Sequence, residues 1–380
     1  MKYIDEFRRH DLALNLASAI AAEAASSREY RFMEFCGGHT HAIFRYGVQD
    51  LMPPNVRFVH GPGCPVCVLP VPRIDNAIEL ASQPGVILAT YADMMRVPAT
   101  KRTSLIKAKA AGADVRMVYS TQDALKIARD NPEREVVFFA IGFETTTPAT
   151  AVAMLQARTE GLANFSVFSN HVLTPPALQH LLETEDGADA ARVDGFIGPS
   201  HVSTVIGSAP YEPFAAEYRR PVVIAGFEPL DVMQATLMLI RQINEGRHEV
   251  ENQYIRAVTR EGNRKAQKLM AEVFELRDTF EWRGLGWVPH SALKLRESFA
   301  EHDAEQRFTL TPSETRDVKG CACPAILRGL KEPSDCELFG TVCTPEAPVG
   351  ACMVSSEGAC AAYWSYGRFR STSTKEEAAA

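Results

Sequence analysis

Short apolar runs recur along the middle of the chain, and each ends in Gly, Pro or a polar cluster. They are Arg57-Phe58-Val59-His60, Gly85-Val86-Ile87-Leu88-Ala89, Val115-Arg116-Met117-Val118, Val136-Val137-Phe138-Phe139-Ala140, Phe165-Ser166-Val167-Phe168, Gly195-Phe196-Ile197 and Val222-Val223-Ile224-Ala225. Such runs of β-branched and aromatic residues, set between helical stretches, predict buried parallel strands in βα units. The intervening spacing predicts helices over 73–83, 101–112, 121–130, 148–160 and 174–184. The last of these opens at Pro175-Pro176, where proline is tolerated. Residues 7–30 set Ala and Leu among charges at helical spacing and predict one or two opening helices. Residues 228–275 are strongly helical in pattern, with Leu237, Ile240, Ile243 and Val250 on one apolar face. After Trp282 the alternation stops, and Gly, Pro and Cys rise from Gly320 onward.

Two pairs of strings echo each other. Phe58-Val59-His60-Gly61-Pro62 resembles Phe196-Ile197-Gly198-Pro199, and Ile141-Gly142-Phe143-Glu144 resembles Ala225-Gly226-Phe227-Glu228. Both fall where a strand ends and a loop begins, the edge at which open α/β sheets bind ligands. They fit two similar parallel-sheet α/β domains around a cleft; chance likeness of short Gly-containing strings is the competing reading. The expected fold class is thus α/β with a third, irregular and partly helical C-terminal domain held by a metal. The expected division is 1–120, with Cys36, Cys64 and Cys67; 121–250, with Glu144 and His201; and 251–380, with the remaining cysteines.

Composition narrows the function classes. The chain of 380 residues predicts two or three domains, at ~100–200 residues each. Its 47 acidic and 40 basic side chains give a net charge of -7, which argues against nucleic acid as a partner. No apolar run approaches the ~20 residues that span a bilayer. Met1-Lys2-Tyr3-Ile4-Asp5-Glu6 lacks the basic-then-apolar layout of a signal peptide, so a cytoplasmic location without membrane contact is expected. The tail 371–380 has no apolar pattern and is expected to fray.

The nine cysteines are the anomaly. Clustered cysteines in a reducing compartment bind metal or do redox chemistry more often than they form structural disulfides. Cys36, Cys64 and Cys67 lie early; Cys321, Cys323, Cys336, Cys343, Cys352 and Cys360 crowd the end; none lies between. Scattered core cysteines would not separate this way. Cys321, Cys336, Cys343 and Cys360 are spaced by 14, 6 and 16 residues among Gly and Pro. Four thiolates satisfy a [4Fe-4S] cluster, one per iron, and such loops expose N–H groups to its sulfurs. Structural zinc is the rival, but its usual pair of Cys-x-x-Cys hooks is missing here. Cys323 can replace Cys321 as first ligand, and Cys352 is the best candidate for a bystander.

The early motifs suggest reactive thiols. Phe35-Cys36-Gly37-Gly38-His39-Thr40-His41 puts a thiol and two imidazoles near one Gly-rich turn, suited to iron, zinc or an activated thiol. One of the two histidines is expected to be structural. Gly61-Pro62-Gly63-Cys64-Pro65-Val66-Cys67 follows a strand, the layout of a dithiol/disulfide switch, with half of a metal site as the alternative. Gly142-Phe143-Glu144-Thr145-Thr146-Thr147 closes one strand and opens a helix. Its threonines can cap that helix, and the dipole there would favour ionised Glu144; a plain helix cap is the bland reading. Pro199-Ser200-His201-Val202-Ser203 also follows a strand, and a lone His is more often a satisfied polar residue than a ligand.

Together these strings, with Cys352-Met353-Val354-Ser355-Ser356-Glu357-Gly358-Ala359-Cys360, resemble the HypD family of hydrogenase maturation proteins over essentially the whole chain. The resemblance implies a role in building the Fe(CN)2CO group of [NiFe] hydrogenases, with a HypC-type small chaperone and a HypE-type cyanide donor as partners. It implies two α/β domains around a cleft and a third domain carrying a [4Fe-4S] cluster. Cys36 would be the protein ligand to the iron under assembly, with His39 positioning or deprotonating it. Cys64 and Cys67 would be the redox-active pair, an arrangement that also looks like that of ferredoxin:thioredoxin reductases. The leading expectation is therefore a redox-capable iron scaffold whose cleft is lined by His39, Glu144 and His201, with Cys36 depressed in pKa by a helix terminus or an imidazolium. An iron-sulfur-dependent protein disulfide oxidoreductase and a structural zinc protein are the alternatives.

Overall fold

The computed structural model describes residues 4–184, 192–313 and 317–368, so the tail expected to fray at 371–380 lies outside them. A short 3-10 turn, Asp5–Phe7, leads into helix α1 (His10–Glu23). Strand β1 (Tyr30–Glu34) follows, where the sequence pattern predicted helix up to residue 30 and no strand after it. Arg31 and Glu34 interrupt its apolar run, which hides the strand.

All seven predicted strands are present. The first sheet runs β2 (Val56–His60), β1, β7 (Gly195–Pro199), β8 (Val222–Ala225) and β9 (Val250–Asn252). The second runs β4 (Asp114–Met117), β3 (Val86–Thr90), β5 (Glu135–Gly142) and β6 (Phe165–His171). Every pairing in both is parallel, with Phe32 opposite Phe58 in the first and Leu88 opposite Val137 in the second. Val136 to Gly142 and the whole of β6 are buried, as helices covering both faces of a parallel sheet require. The protein is thus α/β, with two parallel-sheet domains and an irregular, partly helical C-terminal region. No helix among the described residues is long and apolar enough to cross a membrane.

Strand pairing divides the chain differently from the linear expectation of 1–120, 121–250 and 251–380. Because β1 bonds to β7, the second sheet is nested inside the first, and a cut at 120 would part β4 from β5 within one sheet. Nor does residue 251 open a separate unit. The helix Arg264–Val273 packs on the helix Thr147–Glu160, and Ser169 Oγ donates to Leu293 O at 2.9 Å. Arg73 and Arg277 clasp Glu305 between them.

The helical span expected over 228–275 breaks in two. The helix Pro229–Asn244 ends before Gly246 at φ 67°, and Val250 starts β9. Of the two echoes, the first lies within one sheet, on β2 and β7; the second links β5 to β8, which are not equivalent positions. What the two domains share is strand order. Each sheet starts in its interior, adds one strand on one side, then builds on the other.

Candidate functional site

In open α/β sheets a ligand crevice opens where neighbouring strands send their connections to opposite sides. In the first sheet that point lies between β1 and β7. β1 leads to Cys36 and β7 to His201, and Cys36 Sγ stands 3.5 Å from His201 Nδ1. A cavity of about 370 Å³ opens on the pair, lined also by His41, Arg45, Tyr46, Phe227 and Glu357.

Cys36 caps helix α2 (Gly37–Tyr46), its sulfur accepting from Gly38 N at 3.4 Å. Segments remote in sequence press on this turn. A side-chain carbon on Gly63 would lie 2.3 Å from Cys36 N, and one on Gly37 would lie 2.3 Å from Glu357 Cβ. The fully buried Glu34 carboxylate braces the junction. Its Oε2 accepts from Cys36 N at 3.1 Å, and its Oε1 accepts from Thr40 Oγ1 and meets His60 Nδ1 at 2.7 Å. Burial pushes the Glu34 carboxyl up, opposed by His60, Thr40 and the Cys36 amide.

His60 ends β2, and the chain runs from it into the one-turn helix α3 (Pro65–Val68). Cys64 caps α3, accepting from Cys67 N at 3.2 Å. Cys64 and Cys67 are joined in a disulfide, with Cα atoms 5.2 Å apart and both residues buried.

Several expected roles are distributed differently. The Cys36 thiol is not depressed: burial, then the Glu357 charge, push it well above its usual value. Burial also holds His201 down to about 4, so no imidazolium stands beside the sulfur. Among the described residues no hydrogen bond joins the His39 ring to the Cys36 sulfur. The His39 Nε2 meets the carbonyls of Ala225 and Gly226 at 3.1 and 3.0 Å, which pins α2 to the end of β8. Burial lowers it to about 4. Phe227 packs against both rings, with centroids 4.7 Å from His39 and 5.2 Å from His201.

Glu144 is buried but does not line the Cys36 cavity. It accepts from Thr174 N at 2.8 Å and from Thr174 Oγ1 at 3.0 Å. Burial raises it to about 7, the reverse of what the helix dipole suggested. Burial first, then Glu144 and Cys36 nearby, push the Tyr211 hydroxyl up. Among the described residues, Thr146 precedes the helix without a side-chain capping bond.

The late cysteines fall into two groups. The thiols of Cys321, Cys352 and Cys360 lie close enough to Cys323 to act on its proton, and Cys323 is pushed well above its usual value. Cys336 and Cys343 are held by backbone amides instead, from Ala322 N at 3.5 Å and Val349 N at 3.4 Å. Soft thiolates and amide donors suit an iron-sulfur group. Gly350 completes a cradle: a side-chain carbon there would lie 2.6 Å from the sulfurs of both Cys321 and Cys323. In chemistry, though not in arrangement, the donor set suits such a group. Among the described residues no three His, Cys, Asp or Glu side chains converge as they would on one metal ion.

Sequence reasoning missed Glu34, His60 and Glu357 as parts of the site. A charge inside an apolar stretch just before Cys36 was the available signal for Glu34. Glu357 stood inside a motif already singled out. Nothing in the sequence pairs Glu34 with His60.

Fold and site define the class: an α/β thiol protein in which a single buried thiol, a neighbouring disulfide and a cysteine-rich segment meet near one sheet crevice. Comparison with known proteins gives the family. A family model described as "HypD: Hydrogenase formation hypA family" matches residues 11–367. The hydrogenase maturation factor HypD of Rhizobium leguminosarum bv. viciae is 64% identical over 372 residues, covering 97% of this chain and 97% of that protein. The hydrogenase maturation factor HypD of Escherichia coli strain K12 is 47% identical over 371 residues, covering 96% and 98%. The chain belongs to the HypD family of hydrogenase maturation factors.

Proposed function

We propose that the chain is a redox-capable scaffold that takes iron as its substrate at Cys36. On it the Fe(CN)2CO group is assembled, together with a HypC-type chaperone and a HypE-type cyanide donor in the cytoplasm. The observation that carries this reading is the meeting of Cys36 and His201 at the switch point, with a cavity in front and the dithiol loop against the Cys36 backbone. A soft thiolate suits low-spin iron with carbon-bound ligands. Metal binding removes the thiol proton, and neutral His201, 3.5 Å away, is placed to pass it to the cavity. Glu34 and His39 hold α2 and the Cys36 turn in place from behind.

Cys321, Cys336, Cys343 and Cys360 would hold a [4Fe-4S] cluster, which supplies single electrons when bound. Opening the Cys64–Cys67 disulfide takes two electrons and two protons, and Gly63 transmits any movement of that loop to Cys36. Cys64 at 3% and Cys67 at 0% exposure argue against a disulfide oxidoreductase acting on a protein partner, whose thiol would have to reach them.

Replacing Cys36 by Ala tests the reading. The anaerobically purified variant should keep the brown cluster chromophore and lose the infrared cyanide and carbonyl bands of the complex with its small partner. Persistence of those bands would remove Cys36 as the ligand. Zinc without iron or acid-labile sulfide in the wild type would replace the cluster by a structural zinc site.

A further inference from the structure

Arg283 is a buried charge with no role in the reading above. It is 5% exposed and lies in the turn between the strands Thr279–Trp282 and Gly286–Pro289. Its N–H donates to Val68 O at 2.7 Å. Its guanidinium donates to Leu69 O, at 3.2 Å through Nε and 2.9 Å through Nη2. These two carbonyls close α3, the helix of the Cys64–Cys67 disulfide. The same turn touches the late cysteines. A side-chain carbon on Gly284 would lie 2.8 Å from Pro324 O, next to Cys323. Arg283 also pairs with Asp317, and Cys323, Cys352, Cys321 and Glu281 lie within electrostatic reach of it.

A guanidinium away from water is unfavourable unless negative charge faces it. Asp317 supplies part of that charge, but its side chain is 24% exposed and partly screened by water. Glu281 and the sulfurs of Cys321, Cys323 and Cys352 are the other acidic groups that act on Arg283, and of these the late sulfurs gain negative charge when they hold iron.

We propose that Arg283 is a positioning and charge-compensating residue of the sulfur centres: it ties α3 to the late cysteines and favours the reduced state of the iron-sulfur group they hold. The inference rests on the cluster reading given above. Adding one electron to a four-thiolate iron-sulfur group adds one negative charge and breaks no bond. A guanidinium nearby lowers the energy of that more negative state.

The test is a reductive titration of the anaerobically purified full chain, with dithionite as electron donor through redox mediators. The reduced cluster is followed by electron paramagnetic resonance, and iron and acid-labile sulfide are measured on every sample. Arg283→Met is expected to move the one-electron equilibrium roughly tenfold towards the oxidised form, a midpoint about 59 mV lower. Arg283→Lys should fall between Met and wild type. Asp317→Asn, which strips the guanidinium of its carboxylate, should move the midpoint the opposite way. Opposite signs are what a merely structural role does not produce. If Arg283→Met does not fold, the double variant Arg283→Met/Asp317→Asn removes the pair together and should titrate close to wild type, while Asp317→Asn alone carries the sign. Midpoints that stay put in cluster-loaded variants, or move the same way in both single variants, overturn the inference alone. Absence of iron and sulfide from the wild type overturns the cluster reading and the inference with it.

Discussion

Glu144→Gln should flatten the pH dependence of folding stability across the window set by the Glu144 carboxyl. Burial lifts that carboxyl from its ordinary 4.5 to about 7. Between these values the folded chain holds a proton that the unfolded chain has released. The stability Glu144 contributes is therefore fully present below pH 4.5 and lost as pH rises through about 7. At about 1.4 kcal/mol per pH unit the loss reaches about 3–4 kcal/mol. Gln keeps the shape and cannot ionise, so the variant should lack this slope. At low pH it should be about 1 kcal/mol less stable, because its single oxygen serves two Thr174 donors less well. Above neutrality the order should reverse. Urea unfolding of both proteins, at pH values below, within and above the window, reads the difference between the curves and cancels the slopes of other groups. Parallel curves would refute the reasoning and leave Glu144 ionised in the fold. Glu144→Ala should impair maturation while the chain stays folded; a collapsed melting temperature would make Glu144 mainly a structural brace.

Two further outcomes are expected. Gly63→Ala puts a methyl 2.3 Å from Cys36 N and 2.4 Å from Cys36 Cα. The two turns must part by about 1 Å, at about 1–3 kcal/mol; the melting temperature should fall and alkylation of Cys36 should quicken, and no change in either would show slack at this contact. Cys336→Ala and Cys343→Ala should each lower iron and sulfide content, while Cys323→Ala and Cys352→Ala should keep the chromophore. The reverse pattern would assign the ligands to the group of Cys321, Cys323, Cys352 and Cys360.

The sequence pattern made the strands of both sheets legible wherever they are buried on both faces, because nothing polar interrupts them. It hid β1 because Glu34 is buried there against His60, and a buried charge looks like a loop residue until its partner is known. It also left strand pairing open. Parallel neighbours can be any distance apart in sequence, so no local pattern states that β1 lies beside β7. The same limit governs the site. The Cys36 string was visible as a Gly-rich turn and the His201 string as a strand-end loop, but only the pairing makes His201, and not His39, the imidazole beside the sulfur. Local reasoning on the pKa of Cys36 and Glu144 weighed the helix terminus and lacked burial, and desolvation is the larger effect at both.

The nested topology gives the sulfur sites their common location. The chain forms β1 and β2, leaves through the dithiol turn to form the second sheet, and re-enters the first sheet at β7. The Cys64–Cys67 turn thus sits at the exit from one sheet and the entry to the other. The C-terminal region then folds back over it. Glu357 lies on Gly37, and the turn Ala351–Met353 packs against α3. Three groups of cysteines that are widely separated in sequence are brought together by this crossing. At Gly63 the contact is backbone against backbone, with no flexible side chain among its nearest atoms to absorb movement. Packed interiors shift between discrete arrangements more readily than they deform continuously. A change in the Cys64–Cys67 bond must therefore either leave its turn in place or displace the Cys36 turn with it, and the Gly63→Ala variant measures how much displacement that turn can bear.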